Sequence, residues 1–267
     1  MEPEKTNFTV FVIATGKYIS YFRQLYSDLA SCADYVNRID IFLLTDQDFE
    51  VEKSPNFSKI WVTTKFVSFD NWTMATLLRF KQIRKYSKEL PQQNTIWLDA
   101  DMRISNPKVF CEQIGRMTSM TFARHPGFVF SLTKFKNFGI LRTLKTFLTY
   151  LGFLIRGQKF NGPWENNRAS LAYVKPISRR RYIHGAIWGG PKNEFISMCE
   201  ELDRNTDRDL ENGIIALWHD ESHINQYLSS NREFKYFSKH FSGADKLTPK
   251  SSGNGVWSVD KNDIDKL

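Results

Sequence analysis

Cysteine is scarce. The 267 residues hold three, Cys32, Cys111 and Cys199, widely spaced and without a Cys-x-x-Cys pair. That pattern argues against a disulfide-stapled scaffold and a structural zinc site, and favours a reducing compartment. No uninterrupted apolar run reaches the roughly 18 residues of a membrane span. Met1 to Asn7 carries charges of both signs and lacks the basic-then-apolar layout of a secretory leader. The glycosylation-like triplets at Asn7, Asn56 and Asn71 therefore carry little weight, because that modification needs a secretory route. Acid is missing from one stretch: Ser131 to Phe160 has six Lys/Arg and no Asp or Glu.

The rest of the composition is that of an ordinary globular protein, 41% hydrophobic and 15% aromatic, with a net charge of +8. A chain of this length buries about 70–75% of its extended surface, so one domain over 1–267 is expected. The positive charge is local. From Ser131 to Arg181 eleven basic residues face Glu165 alone, which leaves the remainder near −2. Within this stretch Leu141, Leu144, Leu148, Leu151 and Ile155 recur at three- and four-residue spacing. A helix over 138–155 would be about 27 Å long. Its leucine seam and basic flanks suit the interface of an anionic membrane, and a lid or dimer helix explains the same pattern. The segment 132–162 reads as an insertion. From Thr248 the chain is rich in Ser, Gly, Asn and Lys and reads as a mobile tail.

The first hundred residues alternate between two periods. Strands are predicted at Phe8–Ala14, Arg38–Leu44 and Thr95–Leu98, with helices at Ile19–Ala33 and Met74–Tyr86. After Asn106-Pro107 the pattern loosens. It resumes as a helix near Lys192–Asn205 and another opening at Leu217–His223. Such alternation implies a mainly parallel α/β sheet, whose ligands gather at the carboxyl ends of strands, where Thr15, Asp46 and Asp99 lie.

Two aspartates one residue apart at a strand end can converge on a divalent cation, whose charge offsets their repulsion. Spacing alone decides nothing. Sixteen Asp give about one Asp-x-Asp by chance, and four occur, at Asp46, Asp99, Asp207 and Asp263. Those at Asp207 and Asp263 follow no strand, whereas both Asp46-Gln-Asp48 and Asp99-Ala-Asp101 do, and a solvated turn explains any one of them. In Trp218-His-Asp-Glu-Ser-His223, His219 and Asp220 could ligate a metal, as in phosphohydrolases. Alternatively Glu221 is a catalytic carboxylate beside an aromatic platform, Trp218. A helix cap with buried Trp and His accounts for the same letters.

Taken in order, Ala14-Thr-Gly-Lys-Tyr18, Trp72 to Phe80, Asp99-Ala-Asp101, His125-Pro-Gly-Phe128, Ala172-Tyr173, His184 to Gly190, Trp218 to His223 and Lys261-Asn262 span nearly the whole chain. This series resembles the retaining α1,3-glycosyltransferases of family six, the family of the blood group A and B transferases. The resemblance implies a GT-A fold, Rossmann-like, with a mixed, mainly parallel sheet flanked by helices. It also implies transfer of a sugar from a UDP-sugar donor to a glycan acceptor.

What the resemblance implies for residues can be checked against chemistry. Ile13, Ala14 and Tyr18 would hold the uridine, and Arg79 the diphosphate or sugar hydroxyls. Asp99 and Asp101 would hold Mn2+ (or Mg2+), which decides against Asp46. Lys261 would contact the diphosphate as the tail closes over it, excluding water. Glu221 would sit under the anomeric carbon as nucleophile or as electrostatic stabiliser. Trp218, His125, Asp220 and Glu221 would hold the acceptor. His184, Gly185 and Ala186 align with the donor-choice segment, where a methyl at Ala186 crowds an acetamido group and favours UDP-galactose over UDP-N-acetylgalactosamine.

Departures matter as well. Vertebrate members carry an N-terminal anchor and stem that these residues do not resemble, and many bacterial members replace both aspartates with asparagine. A metal-dependent microbial or viral enzyme is therefore expected, cytoplasmic or peripheral on the inner face of a membrane, acting on a glycan that includes lipid-linked forms. Asp245 is the candidate for an acceptor-contacting aspartate near the tail. A basic module for membranes or nucleic acid is supported by charge alone, and no zinc-finger or RNP-like pattern accompanies it, so no nucleic-acid partner is expected.

Overall fold

The computed structural model describes residues 5–51, 55–127, 162–230, 233–244 and 253–259. The insertion expected over 132–162, apart from Gly162, the helix expected over 138–155, Asp245 and Lys261 lie outside the described residues.

Strand β1 (Thr6–Ile13) shows how sequence becomes layer. Phe8, Val10 and Val12 pack on one side with Phe22 and Leu25 of α1 (Tyr18–Ala30) and with Phe110 and Ile114 of α4 (Pro107–Gly115). Phe11 faces the other way, toward Phe80 and Ile83 of α3 (Arg79–Tyr86), Phe195 and Met198 of α5 (Lys192–Glu211) and Ile224 of α6 (His219–Ser229). The two-residue period of a strand thus sorts one apolar run onto two helical layers.

The main sheet runs β3-β2-β1-β4-β7-β6-β8. Its members are β2 (Val36–Thr45), β3 (Ile60–Phe66), β4 (Asn94–Leu98), β6 (Thr121–Arg124), β7 (Ile183–Pro191) and β8 (Lys235–Tyr236) beside β1. The pairs β1·β2, β1·β4, β2·β3 and β6·β8 are parallel, and β7 runs antiparallel to both β4 and β6. This is the mixed, mainly parallel sheet flanked by helices that the sequence implies. The β4·β7 crossing is close: a side chain on Gly189 would meet the Thr95 carbonyl at 2.5 Å. A second sheet runs β5-β10-β9, from Met102–Ile104, Val256–Ser258 and Ser242–Ala244. Buried Cys32, Cys111 and Cys199 are free thiols.

Four local readings change. The helix expected over Met74–Tyr86 is two, α2 (Trp72–Leu77) and α3, separated at Leu78, whose φ of −87° and ψ of 5° leave the helical basin. Asn71 caps α2 by accepting from Met74 N–H at 3.0 Å. The loosened region after Asn106 holds α4, capped by Asn106 at Val109 N–H with Pro107 in its first turn, and β6. Edge strand β3 was not anticipated. Within the expected mobile tail, Val256 and Trp257 are buried in β10.

Candidate active site

Strand β4 carries Asp99 to its carboxyl end, where the Asp99 N–H donates to the Ala186 carbonyl of β7 at 2.9 Å. The side chain is aimed by its own strand, because Trp97 Nε1–H donates to Asp99 Oδ1 at 2.7 Å. A turn closed by Met102 N–H to Asp99 O brings Asp101, which is buried, beside it. Next along β7 from Ala186, the Gly185 N–H donates to Glu221 Oε2 at 2.7 Å. The backbone of Asp99 and the carboxylate of Glu221, more than a hundred positions apart, are thereby fixed to neighbouring residues of one strand.

Arg79 binds the two sides together. Only 5% exposed, its Nη1 lies 3.0 Å from Asp220 Oδ2 and 3.4 Å from Asp99 Oδ1, donates to the Gly185 carbonyl at 3.3 Å, and its guanidinium carbon sits 4.2 Å from the Trp97 ring centroid. A buried cation is retained only when so surrounded.

These groups wall one cleft of about 230 Å³. Its lining includes Ile13 at the end of β1 with Thr15 and Tyr18 after it, Trp72, Thr76 and Arg79 of α2 and α3, Asp99 and Asp101 after β4, His184, Gly185 and Ala186 of β7, and His125 with Trp218 to Glu221. Every predicted site residue within the described residues lines it except Ala14. That residue is fully buried in the core, its N–H given to the Leu44 carbonyl, so its side chain offers no contact to a ligand in the cleft. Asp46 is absent from the walls and accepts the Gly16 N–H at 2.9 Å, a loop tie. Asp209, of the Asp207 pair, is likewise occupied in structure, accepting from Ser170 Oγ and Leu171 N–H. Trp72, Thr76 and Trp97 are wall residues that sequence reasoning gave no role, and His219, read as a possible metal ligand, lines the wall as well. The available signal was the place of Trp72 in the segment Trp72 to Phe80, and of Trp97 in the strand that leads into Asp99.

Burial dominates the electrostatics. It pushes the Asp220 carboxyl up to about 7 against the pull of Arg79, and the Glu221 carboxyl up to about 8 against the Gly185 hydrogen bond. Burial and Arg79 hold His219 below the usual histidine range. His125 and His184 stack edge to face at 5.1 Å, with His125 Nδ1 accepting from Gly127 N–H at 3.0 Å. Trp218 is half exposed at the mouth.

Could the site hold a metal? Among the described residues no group of three His, Cys, Asp or Glu gathers in metal-binding geometry. A closed protein site is thus absent there, yet the oxygen pair Asp99 and Asp101 fits an ion that takes one or two carboxylates and completes its shell from substrate phosphates and water. No helix among these residues is long and apolar enough to cross a membrane.

Comparison with known proteins agrees with this geometry. The family model for glycosyltransferase family 6 matches residues 133–254, just under half of the chain. The chain is 24% identical over 251 residues to histo-blood group ABO system transferase 1 of Rattus norvegicus, covering 91% of this chain and 63% of that protein. It is 22% identical over 244 residues to globoside alpha-1,3-N-acetylgalactosaminyltransferase 1 of Homo sapiens, covering 90% and 62%. Against the O-antigen biosynthesis glycosyltransferase WbnI of Escherichia coli it is 23% identical over 231 residues, covering 84% and 82%. The chain thus spans less than two thirds of the rat and human relatives' length. With most of its predicted site residues on one cleft at the carboxyl end of β4, the chain is similar to glycosyltransferase family 6 over residues 133–254.

Proposed function

We propose that the chain transfers galactose from UDP-galactose, in α1,3 linkage and with retention of configuration, onto a terminal galactoside. The observation that carries this reading is the attachment of Asp99 and Glu221 to adjacent residues of β7, so that an acidic pair and a separate catalytic carboxyl face one cleft. The name of the human relative, an alpha-1,3-N-acetylgalactosaminyltransferase, supports the linkage.

In this reading the uridine lies at the Ile13 and Tyr18 end and the acceptor at the His125 and Trp218 end, with the donor sugar between Arg79 and Ala186. Asp99 and Asp101 would hold Mn2+ or Mg2+, which when bound neutralises the diphosphate and eases departure of UDP. Arg79 orients Asp99 and Asp220 toward the sugar. Gly185 sets the Glu221 carboxyl before substrate arrives, and preset orientation is where much of catalysis resides. Glu221 then either attacks the anomeric carbon or stabilises an oxocarbenium-like state during front-face attack. Lys261 is proposed to close on the diphosphate. A lipid-linked acceptor, membrane contact through 138–155 and residence on the inner face of a membrane complete the proposal.

A second reading, UDP-N-acetylgalactosamine as donor, draws on the human relative's name. The Ala186 methyl on the cleft wall favours galactose. A screen of both donors with Mn2+ against fucosylated and unfucosylated galactosides, with linkage determined by NMR, tests the proposal. Phosphate release that needs no acceptor would replace it with phosphohydrolysis.

A further inference from the structure

Resting on the acceptor end assigned above, we propose that Glu165 is a positioning residue that sets the Trp218 platform through the backbone of Leu217. Glu165 is the sole acid of the basic stretch 131–181. It is buried, and each of its oxygens accepts a backbone N–H: Oε1 from Asn167 at 2.7 Å and Oε2 from Leu217 at 2.6 Å. The second bond crosses 52 positions of sequence and ends one residue before Trp218.

The platform needs such a hold. Leu217 is 56% exposed and Trp218 50% exposed, so burial contributes little to fixing either side chain. The turn that follows carries His219 at a φ of +46°, a region that a side chain other than glycine enters only when its surroundings impose it. Three ties impose it: Leu217 N–H to Glu165, Trp218 N–H to Ser222 Oγ at 3.0 Å and His219 N–H to the Ala216 carbonyl at 2.9 Å. The Trp72 ring closes the turn from the other side, 5.4 Å from His219. Only the Glu165 tie comes from a distant segment, one that Ser170 and Leu171 anchor to Asp209 on α5.

Glu165→Gln keeps the shape but leaves one oxygen for two donors. Glu165→Asp keeps the local turn to Asn167, in the manner of an Asx turn, and no longer reaches Leu217. Ser170→Ala loosens the same segment without touching Leu217. With lactose as acceptor, both Glu165 variants are expected to raise the lactose KM roughly tenfold while changing UDP-galactose hydrolysis by water less than twofold. Ser170→Ala is expected to lower the melting temperature with the lactose KM within twofold of wild type. Hydrogen–deuterium exchange of the peptide 214–219 should accelerate in Glu165→Gln, a readout independent of activity. An unchanged lactose KM, an equal rise in Ser170→Ala, or unchanged exchange at Leu217 overturns the assignment. Wild-type protein that UDP with Mn2+ fails to stabilise would instead defeat the underlying transferase reading.

Discussion

The backbone N–H of Gly185 donates to Glu221 Oε2 at 2.7 Å, so β7, a strand that lines the cleft, also holds the carboxyl on α6. The contact leaves no slack. A Cβ at Gly185 would lie 3.1 Å from both Cβ and Oε2 of Glu221. Gly185→Ala should therefore fold normally and displace the carboxyl by a few tenths of an ångström. Since misplacement by about 1 Å costs on the order of a hundredfold, a fall in kcat of about fivefold is expected, with UDP affinity unchanged. Steady-state kinetics beside UDP titration checks both halves.

Glu221 should also write its state into the pH profile. With its carboxyl near 8 in the ligand-free cleft, the ionised form grows as pH rises. kcat/KM for the donor is expected to climb through this region and level off above it. The Asp99 charge contributes to the elevation, so raising Mn2+ should move the limb to lower pH. Glu221→Gln should retain UDP binding, lose at least about a hundredfold in kcat, and lack the limb. An unaltered profile in that variant would remove Glu221 from the chemistry.

How much of this was readable beforehand follows from the range of the interactions. Strands β1, β2 and β4 announce themselves because their buried faces impose unbroken apolar runs. Edge strand β3 does not, since Trp61 and Phe66 remain exposed and break the pattern. Three-residue β10 hides in a Ser/Gly/Asn-rich segment, and it packs because Trp257 lies against Gly243, where a Cβ would meet its ring at 2.2 Å. Asp99-Ala-Asp101 was legible through the resemblance, because Asp46-Gln-Asp48 also follows a strand. The pairing of Arg79 with both Asp99 and Asp220 was not, because it depends on three elements meeting.

Asp101→Asn separates the metal from the rest of the donor site. If Asp99 and Asp101 hold Mn2+, wild-type protein with UDP and Mn2+ at about a hundred times Kd gains about 2.7 kcal/mol, or about 5 °C or more in Tm. The variant should lose the Mn2+-dependent part of that gain and keep the shift given by UDP alone. A thermal melt series with and without Mn2+ decides it. An equal Mn2+-dependent gain in both proteins would move the ion elsewhere.

Donor choice should respond to a single methyl. Ala186 lines the cleft while its carbonyl accepts from the Asp99 N–H, so its backbone is held. Ala186→Gly removes the crowding without loosening the strand pair. The ratio of kcat/KM for UDP-N-acetylgalactosamine over UDP-galactose is expected to rise about tenfold or more, the usual worth of one methyl-sized clash. Competition of the two donors in one reaction measures the ratio directly, and an unmoved ratio would place the selection at another wall.

His223, the last letter of the Trp-His-Asp-Glu-Ser-His motif, touches stability rather than the cleft. It is buried on α6, its Nε2 3.6 Å from Asp209 Oδ2, and neither ring nitrogen has a hydrogen-bond partner among the described residues. Burial pulls the ring down from 6.5 to about 4 despite the pull of Asp209 and Glu165. The unfolded chain therefore binds a proton between these values that the folded protein refuses, and stability falls as pH drops from about 6.5 to about 4. That shift corresponds to about 3 kcal/mol. His223→Leu removes the titration while Asp209 keeps its bonds to Ser170 and Leu171. Urea melts of both proteins at pH 7, 5.5 and 4 should show wild type losing about 3 kcal/mol more than the variant across this window. Parallel curves would mean that the ring is already protonated in the fold, paired with Asp209.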